Sequence, residues 1–365
     1  MDKVDRISTP KSENSRPIRV MIVDDSAFMR YTISKHLADF PDVAFVGSAR
    51  DGQEALELIP KLQPDVITMD VEMPRLDGLS TLKKIMADDP RPVIMLSSLT
   101  KEGTVETVQA LTIGAVDFIN KPDNKANISL VMDDVVTKIR KAAGVKVRFM
   151  PHRNAPPAPV MSPLYPVKRP GRALTSKDRI VVIGSSTGGP RALNVVVPAL
   201  PANLPAAVFI VQHMPVGFTR SLAERLDSIS QIRVKEAEPG DQLDVGRALI
   251  APGGFHSVIN EQGQVALNQN PPVHGVRPAI DVTLASIAKH FGAAVISVIL
   301  TGMGSDGTNG SGLVNQAGGR VIAEDESSCV VWGMPRSVYE AGYTQVVVPL
   351  DQIADAITQA VSSPA

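Results

Sequence analysis

VMIVDDSAFMRYTISKHL, residues 20–37, holds an apolar run, a pair of aspartates and a helix with its own start signal. Val20–Val23 suits a strand buried on both faces. Behind it Met29, Ile33 and Leu37 recur every four residues along one helix face. Ser26 stands where an N-cap side chain accepts a first-turn N–H. The pattern repeats: apolar runs at Ala44–Val46, Val66–Met69, Val93–Leu96 and Asp117–Ile119 alternate with helical patterns. Such alternation predicts a doubly wound α/β domain over residues 17–140.

The alternation stops in a stretch with prolines at 151, 156, 157, 159, 163, 166 and 170. Proline removes a backbone donor and fixes φ, so residues 141–178 are expected to be a semi-rigid linker. Strand signals resume at Arg179–Ile183, Val208–Val211, Ala294–Leu300, Arg320–Ala323 and Gln345–Val348. They predict a second α/β domain with a parallel sheet over 179–358. RALIAPGGFHSVINEQGQVALNQ, residues 247–269, reads as short strands around a turn at Gly263, hence an inserted β-hairpin. Residues 1–16 and 359–365 are expected to be tails, the first disordered.

A chain of 365 residues is long for one core, and 44% hydrophobic residues suffice for two. A net charge of −1 supplies no global field for nucleic acid, and no basic recognition helix follows the linker. The single cysteine, Cys329, excludes an internal disulfide and a four-cysteine zinc site. The polar N-terminus lacks a signal-peptide core, and no apolar run approaches a bilayer span, so a cytoplasmic protein without direct membrane insertion is expected.

Open parallel sheets bind ligands beyond the carboxyl ends of their strands. Asp24 and Asp25 end the first strand, Asp70 ends the third, and Lys121 follows the fifth. Three converging carboxylates repel unless a cation lies among them, and an oxygen-only set suits Mg²⁺. A carboxylate there can attack a phosphoryl group, with Lys121 pairing the product and Ser97 hydrogen-bonding to it. VMIVDDSAFMR, VITMDVEMPRLDGL, IMLSSLT and AVDFINKP together resemble the receiver domain of two-component response regulators, which is flavodoxin-like. The resemblance implies Asp70 as phosphoacceptor and Mg²⁺ held by Asp25, Asp70 and the backbone of Glu72, with Asp24 in support. Ser97 and Phe118 match its hydroxyl and aromatic switch positions, and the phosphodonor is a histidine kinase.

In the second domain, IVVIGSSTGGP at 180–190 fits G-x-S-x-G only with Ser186 central. That register sets Ser186 on a tight strand-to-helix turn among backbone N–H groups. The same amides could cradle an anion, but the P-loop lysine and the dinucleotide fingerprint are absent. His213 follows the next strand, and Asp306 lies in the glycine-rich loop after Ala294–Leu300. A hydroxyl, an imidazole and a carboxylate at three strand ends suit acyl transfer, with glycines beside Met303 opening room for oxyanion donors. His256 and His274 offer an alternative base or, with His213 and Asp306, a metal site, though without ligand-like spacing.

VVIGSSTGGPRAL, IVQHMPVGFTRSLAERLD, APGGFH, RPAIDVTLASIA, ILTGMGSDGTNG and WGMPRSVYEAG resemble the catalytic domain of chemotaxis protein-glutamate methylesterases, the CheB family. Only Trp332, before the last GMP, departs from the side chain expected there. The resemblance implies a Ser186–His213–Asp306 triad, with Met303 and Thr187 shaping the oxyanion loop and no cofactor in this domain. The implied activity is hydrolysis of glutamate γ-methyl esters, and deamidation of certain glutamines, on methyl-accepting chemotaxis receptors for sensory adaptation. A monomer is expected, with the unphosphorylated receiver docked over the Ser186 cleft. The alternative is a receiver-controlled, non-catalytic binding module.

Overall fold

A computed structural model describes residues 16–97, 100–121, 128–145, 171–175 and 177–363. The first domain alternates β1 (Ile18–Val23), α1 (Ala27–Leu37), β2 (Val43–Ala49), α2 (Gly52–Leu62), β3 (Val66–Asp70), α3 (Gly78–Asp88), β4 (Val93–Ser97), α4 (Lys101–Ile113), β5 (Asp117–Asn120) and α5 (Ile128–Ala143). Ser26 caps α1 by accepting the Met29 N–H, and Met29, Ile33 and Leu37 are its buried face. The strands form a parallel sheet in the order β2-β1-β3-β4-β5. Chain direction across the sheet reverses between β1 and β3, which opens a crevice at their carboxyl ends.

After a short strand β6 (Arg172–Ala173), the second domain runs β7 (Arg179–Ser185), α6 (Gly189–Ala199), β8 (Ala206–Gln212), α7 (Phe218–Ile229), β9 (Arg233–Glu236), β10 (Asp244–Val245) and β11 (Arg247–Ile250). It continues through β12 (His256–Ile259), β13 (Val265–Asn268), α8 (Ile280–Phe291), β14 (Val295–Ile299), α9 (Thr308–Gln316), β15 (Arg320–Glu324), α10 (Met334–Glu340), β16 (Val346–Val348) and α11 (Ile353–Ser362). The main sheet has seven parallel strands in the order β16-β15-β14-β7-β8-β11-β9. From β7 the chain builds one way through β8 and the other way through β14. The crevice of this sheet therefore lies over the ends of β7 and β14. Both central strands are buried along their whole length, matching their unbroken apolar runs.

Four expectations need correction. The segment read as a hairpin is divided: β11 joins the main sheet beside β8 and β9, and only β12 and β13 form the antiparallel hairpin. RVKE and RALI are short, and the first is amphipathic, so neither announces a parallel strand. The first domain extends to Ala143 and begins by Arg16, whose guanidinium pairs with Asp65 at 2.8 Å. Residues 359–362 belong to α11, where Ala360 and Val361 are buried. Arg172–Ala173, assigned to the linker, pairs with β10. Residues 1–15, most of the proline-rich linker and residues 364–365 lie outside the described residues.

The two domains share an apolar core cluster. Helix α4 of the first packs against α6 and α7 of the second, the helices that leave the β7 and β8 loops. Thr104 Oγ1 and Ser221 Oγ hydrogen-bond across this contact at 3.2 Å, and the Phe118 and Phe218 rings lie 4.4 Å apart.

Candidate active site

In the first domain, Asp24, Asp25 and Asp70 each place a carboxylate oxygen within 4.8 Å of the other two. Lys121 Nζ lies 2.6 Å from Asp70 Oδ2 and 3.0 Å from Asp24 Oδ2. Burial raises the pKa of Asp70 to about 6 against the downward pull of Lys121, and Asp24 adds a further upward push. Burial also works to lower the Lys121 pKa, but the charges of Asp70 and Asp24 outweigh it. Asp24 Oδ2 is buried with the Lys121 ammonium as its counter-charge. Three clustered carboxylates, an all-oxygen set, fit a hard divalent cation. Glu72 stands in the loop after β3, with its N–H directed to Asp70. Ser97, fully buried at the end of β4, donates to Gly103 O and accepts the Thr107 hydroxyl at 2.5 Å. Phe118 is turned inward against Phe218.

In the second domain the two serines of the glycine turn separate. Ser185 is fully buried and donates to Gln212 Oε1 at 2.6 Å. Ser186 is half-buried, and among the described residues its hydroxyl has no hydrogen-bond partner. The Ser186 N–H donates to Thr301 O at 3.0 Å, tying the turn to the end of β14. A Cβ on Gly189 would fall 1.9 Å from Gln212 Oε1, and one on Gly188, at φ +79°, 2.6 Å from Val330 Cβ. The paired glycines are therefore required for the turn to close.

Gln212 joins the turn to the histidine loop, its amide donating to Ser186 O at 2.9 Å and His213 O at 3.1 Å. His213 Nε2 lies 2.7 Å from Asp306 Oδ2. Asp306 also accepts the N–H groups of Ile280, Asp281 and Gly307, two of them from the first turn of α8. Burial works to raise the Asp306 pKa, but the His213 hydrogen bond and charge and these N–H donors outweigh it, holding the carboxyl low. With Nε2 on the carboxylate, Nδ1 is the ring nitrogen left for a proton from solvent or a neighbouring hydroxyl. Met303 is exposed at the rim of the loop between Thr301 and Asp306. Among the described residues the backbone N–H groups of Thr187 and Met303 have no hydrogen-bond partner.

The other histidines sort themselves by contact. His256 is buried, accepting the Ala279 N–H at Nδ1, and lies too deep to act as a base. His274 pairs with Asp281 at 2.9 Å and stands 4.0 Å from Asp306. His274, Asp281 and Asp306 group closely enough for an ion. Asp281 is already engaged by Gly310 N–H and His274, and Asp306 by four donors. The alternative metal site thus has its oxygens occupied by protein donors. Trp332 stacks near Tyr339 and under Arg336 on the surface beside the loop. Gln212 and Thr301 were not singled out from the sequence; the only signal was their place at strand ends.

Residues 20–133 match the response regulator receiver domain model, and residues 181–357 the CheB methylesterase model. A protein-glutamate methylesterase/protein-glutamine glutaminase of Symbiobacterium thermophilum is 51% identical over 95% of this chain and 98% of its own. One from Thermotoga maritima is 48% identical over 95% and 99%. The solved CheB methylesterase catalytic domain of Thermotoga maritima is 51% identical, covering 50% of this chain and 98% of that one at a TM-score of 0.49. With identity of this level along nearly the full length of both chains, the protein belongs to the protein-glutamate methylesterase/protein-glutamine glutaminase family.

Proposed function

We propose that the chain is a receiver-controlled serine hydrolase that converts glutamate γ-methyl esters, and certain glutamines, of methyl-accepting chemotaxis receptors to glutamate. The observation that carries this reading is the half-buried Ser186 hydroxyl, unpartnered among the described residues, on a turn bonded through Gln212 to the loop of a His213–Asp306 pair. Ser186 Oγ attacks the γ-carbonyl while His213 Nδ1 accepts its proton. Asp306 holds the ring and stabilises the imidazolium. The N–H groups of Thr187 and Met303 receive the developing oxyanion. His213 returns the proton to the leaving group, releasing methanol or ammonia and leaving a γ-glutamyl ester on Ser186. Water then gives its proton to His213, attacks the same carbonyl, and glutamate leaves as the serine is reprotonated. An anion cradle fits the turn less well, because the N–H groups of Ser186 and Gly189 are engaged within the protein.

Asp70 is the phosphoacceptor, taking its phosphoryl group from a chemotaxis histidine kinase. Asp25, Asp70 and the Glu72 backbone, with Asp24 in support, would hold Mg²⁺, which supplies charge neutralisation for the phosphoryl oxygens. Lys121, now bridging Asp24 and Asp70, is placed to pair with the acyl phosphate. Phosphorylation draws Ser97 away from Thr107 and loosens α4 from α6 and α7, a shift from docked to open populations. The contact of α4 with the helices leaving the Ser186 and His213 loops supports an inhibitory dock. Among the described residues no helix is long and apolar enough to cross a membrane.

The test is methanol release from methylated receptor membranes, with and without a small-molecule phosphodonor, for wild type, Ser186→Ala and Asp70→Asn. Ser186→Ala should release none, and Asp70→Asn should not respond to the donor. Release by Ser186→Ala would overturn the serine mechanism.

A further inference from the structure

Glu324 ends β15 with its side chain fully buried, and no triad residue touches it. A buried carboxyl is costly unless its oxygens are met by donors, so its contacts show what it holds. Oε2 accepts the Thr301 N–H at 2.8 Å, and Oε1 accepts the Ser328 hydroxyl at 3.0 Å. Burial pushes its pKa up, while these donors and the charge of Arg191 on α6 favour the ionised form.

Thr301 is the residue through which the crevice is assembled. Its carbonyl accepts the Ser186 N–H at 3.0 Å. Its hydroxyl donates to Thr187 O at 3.0 Å and accepts the Val331 N–H at 2.9 Å. Gly302 and Met303 follow it directly. One residue thus fixes the spacing between the nucleophile turn and the oxyanion loop, and its own N–H is fixed by Glu324. Among the described residues the N–H groups on either side, of Leu300 and Gly302, reach backbone carbonyls, whereas that of Thr301 is met by Glu324.

We propose that Glu324 is a positioning residue for hydrolysis, acting through Thr301 to set the distance between Ser186 and the Met303 oxyanion loop. This rests on the serine-hydrolase reading above. A displacement of about 1 Å in such a site lowers turnover about 100-fold without altering substrate docking.

The experiment uses full-length protein, a saturating small-molecule phosphodonor and methylated receptor membranes, with circular dichroism melts to verify folding. Glu324→Ala is expected to lower kcat about 100-fold with KM nearly unchanged. Glu324→Gln, whose amide oxygen still accepts from Thr301, should recover to within several-fold of wild type. Thr301→Ser should retain activity, and Thr301→Val, which keeps the N–H held by Glu324 but loses the hydroxyl bonds to Thr187 O and the Val331 N–H, should lower kcat through the other half of the same linkage. A folded Glu324→Ala with wild-type kcat, or a Gln variant as impaired as Ala, overturns the proposal. If Glu324→Ala does not fold, Glu324→Met, which fills the volume but offers the Thr301 N–H no oxygen acceptor, decides, and wild-type kcat in that variant also overturns the proposal. Ser186→Ala is run alongside: methanol release there removes the serine-hydrolase reading itself, whereas an inert Ser186→Ala with an unaffected Glu324→Ala removes only the positioning role.

Discussion

Asp306 Oδ2 accepts the Nε2–H of His213 at 2.7 Å, and four N–H donors in all converge on its carboxylate. The aspartate is therefore held independently of the imidazole, and in the proposed mechanism it leaves Nδ1 as the ring nitrogen that acts as base. Asp306→Asn removes the charge and can reverse the tautomer, so kcat should fall on the order of 10⁴-fold with little change in KM. His274 pairs with Asp281 instead. His274→Ala should therefore stay within a few-fold of wild type in the same methanol-release assay, and a loss equal to that of Asp306→Asn would make His274 the base.

With Asp70 as the proposed phosphoacceptor, its pKa, raised to about 6 mainly by burial, should set the pH window of activation. The attacking species is the carboxylate, so phosphorylation by a small-molecule donor should slow as pH falls through about 6. Raising Mg²⁺ favours the carboxylate and should move the midpoint to lower pH. The same shift has a stability signature. A folded-state pKa above the unfolded value contributes stability below the unfolded pKa and loses it as pH rises through the folded one. Asp70→Asn should melt several degrees higher than wild type at pH 7.5, and the gain should shrink as pH falls from about 6 toward 4. A gain that instead grows on acidification would contradict the raised pKa.

Thr104 and Ser221 meet at 3.2 Å, both buried, where α4 rests on α7. Thr104→Arg sets a long charged side chain against that contact. Burying an unpaired charge costs several kcal/mol, of the same order as the roughly 5.5 kcal/mol that inverts a 99:1 equilibrium. Methanol release without phosphodonor should rise, and the stimulation ratio should fall toward one. Unchanged or lower basal activity in a folded variant would mean that the docked receiver does not inhibit.

Much of this site is legible along the chain because it lies at strand ends, and long parallel strands are conspicuous. Ser186, His213 and Asp306 each follow an apolar run, and G-x-S-x-G chooses Ser186 over Ser185. In the structure the Ser185 hydroxyl is taken up by Gln212, which is compatible with that choice. What holds the three together has no local signal. Thr301 bonds Ser186, Thr187, Val331 and Glu324, contacts that depend on β14 lying between β7 and β15. Strand order is set by crossovers, not by spacing. For the same reason β9 and β11, short and modestly apolar, are not visible as members of the sheet. The stacking of Phe118 on Phe218 joins two separate domains and is equally silent in either segment.

Gly302 tests how tightly the two loops of the crevice are drawn together. A Cβ placed there would lie 2.4 Å from Met334 Sδ and 2.8 Å from Ser186 Cβ. The methionine end can swing aside, but Ser186 is held through its N–H to Thr301 and its carbonyl to Gln212. Gly302→Ala must therefore push the nucleophile turn and the oxyanion loop apart. The expected cost in stability is about 1–3 kcal/mol from overpacking, with kcat falling about 100-fold. Gly240→Ala is the matched control. It sits at φ +86° with nothing within 4 Å of the new methyl. Its backbone strain should cost about 1–2 kcal/mol while leaving kcat intact. Melting curves with methanol release on both variants separate the effects: comparable destabilisation, but loss of turnover only at Gly302. Equal turnover in the two would mean that the spacing between Ser186 and the loop after β14 does not limit the reaction.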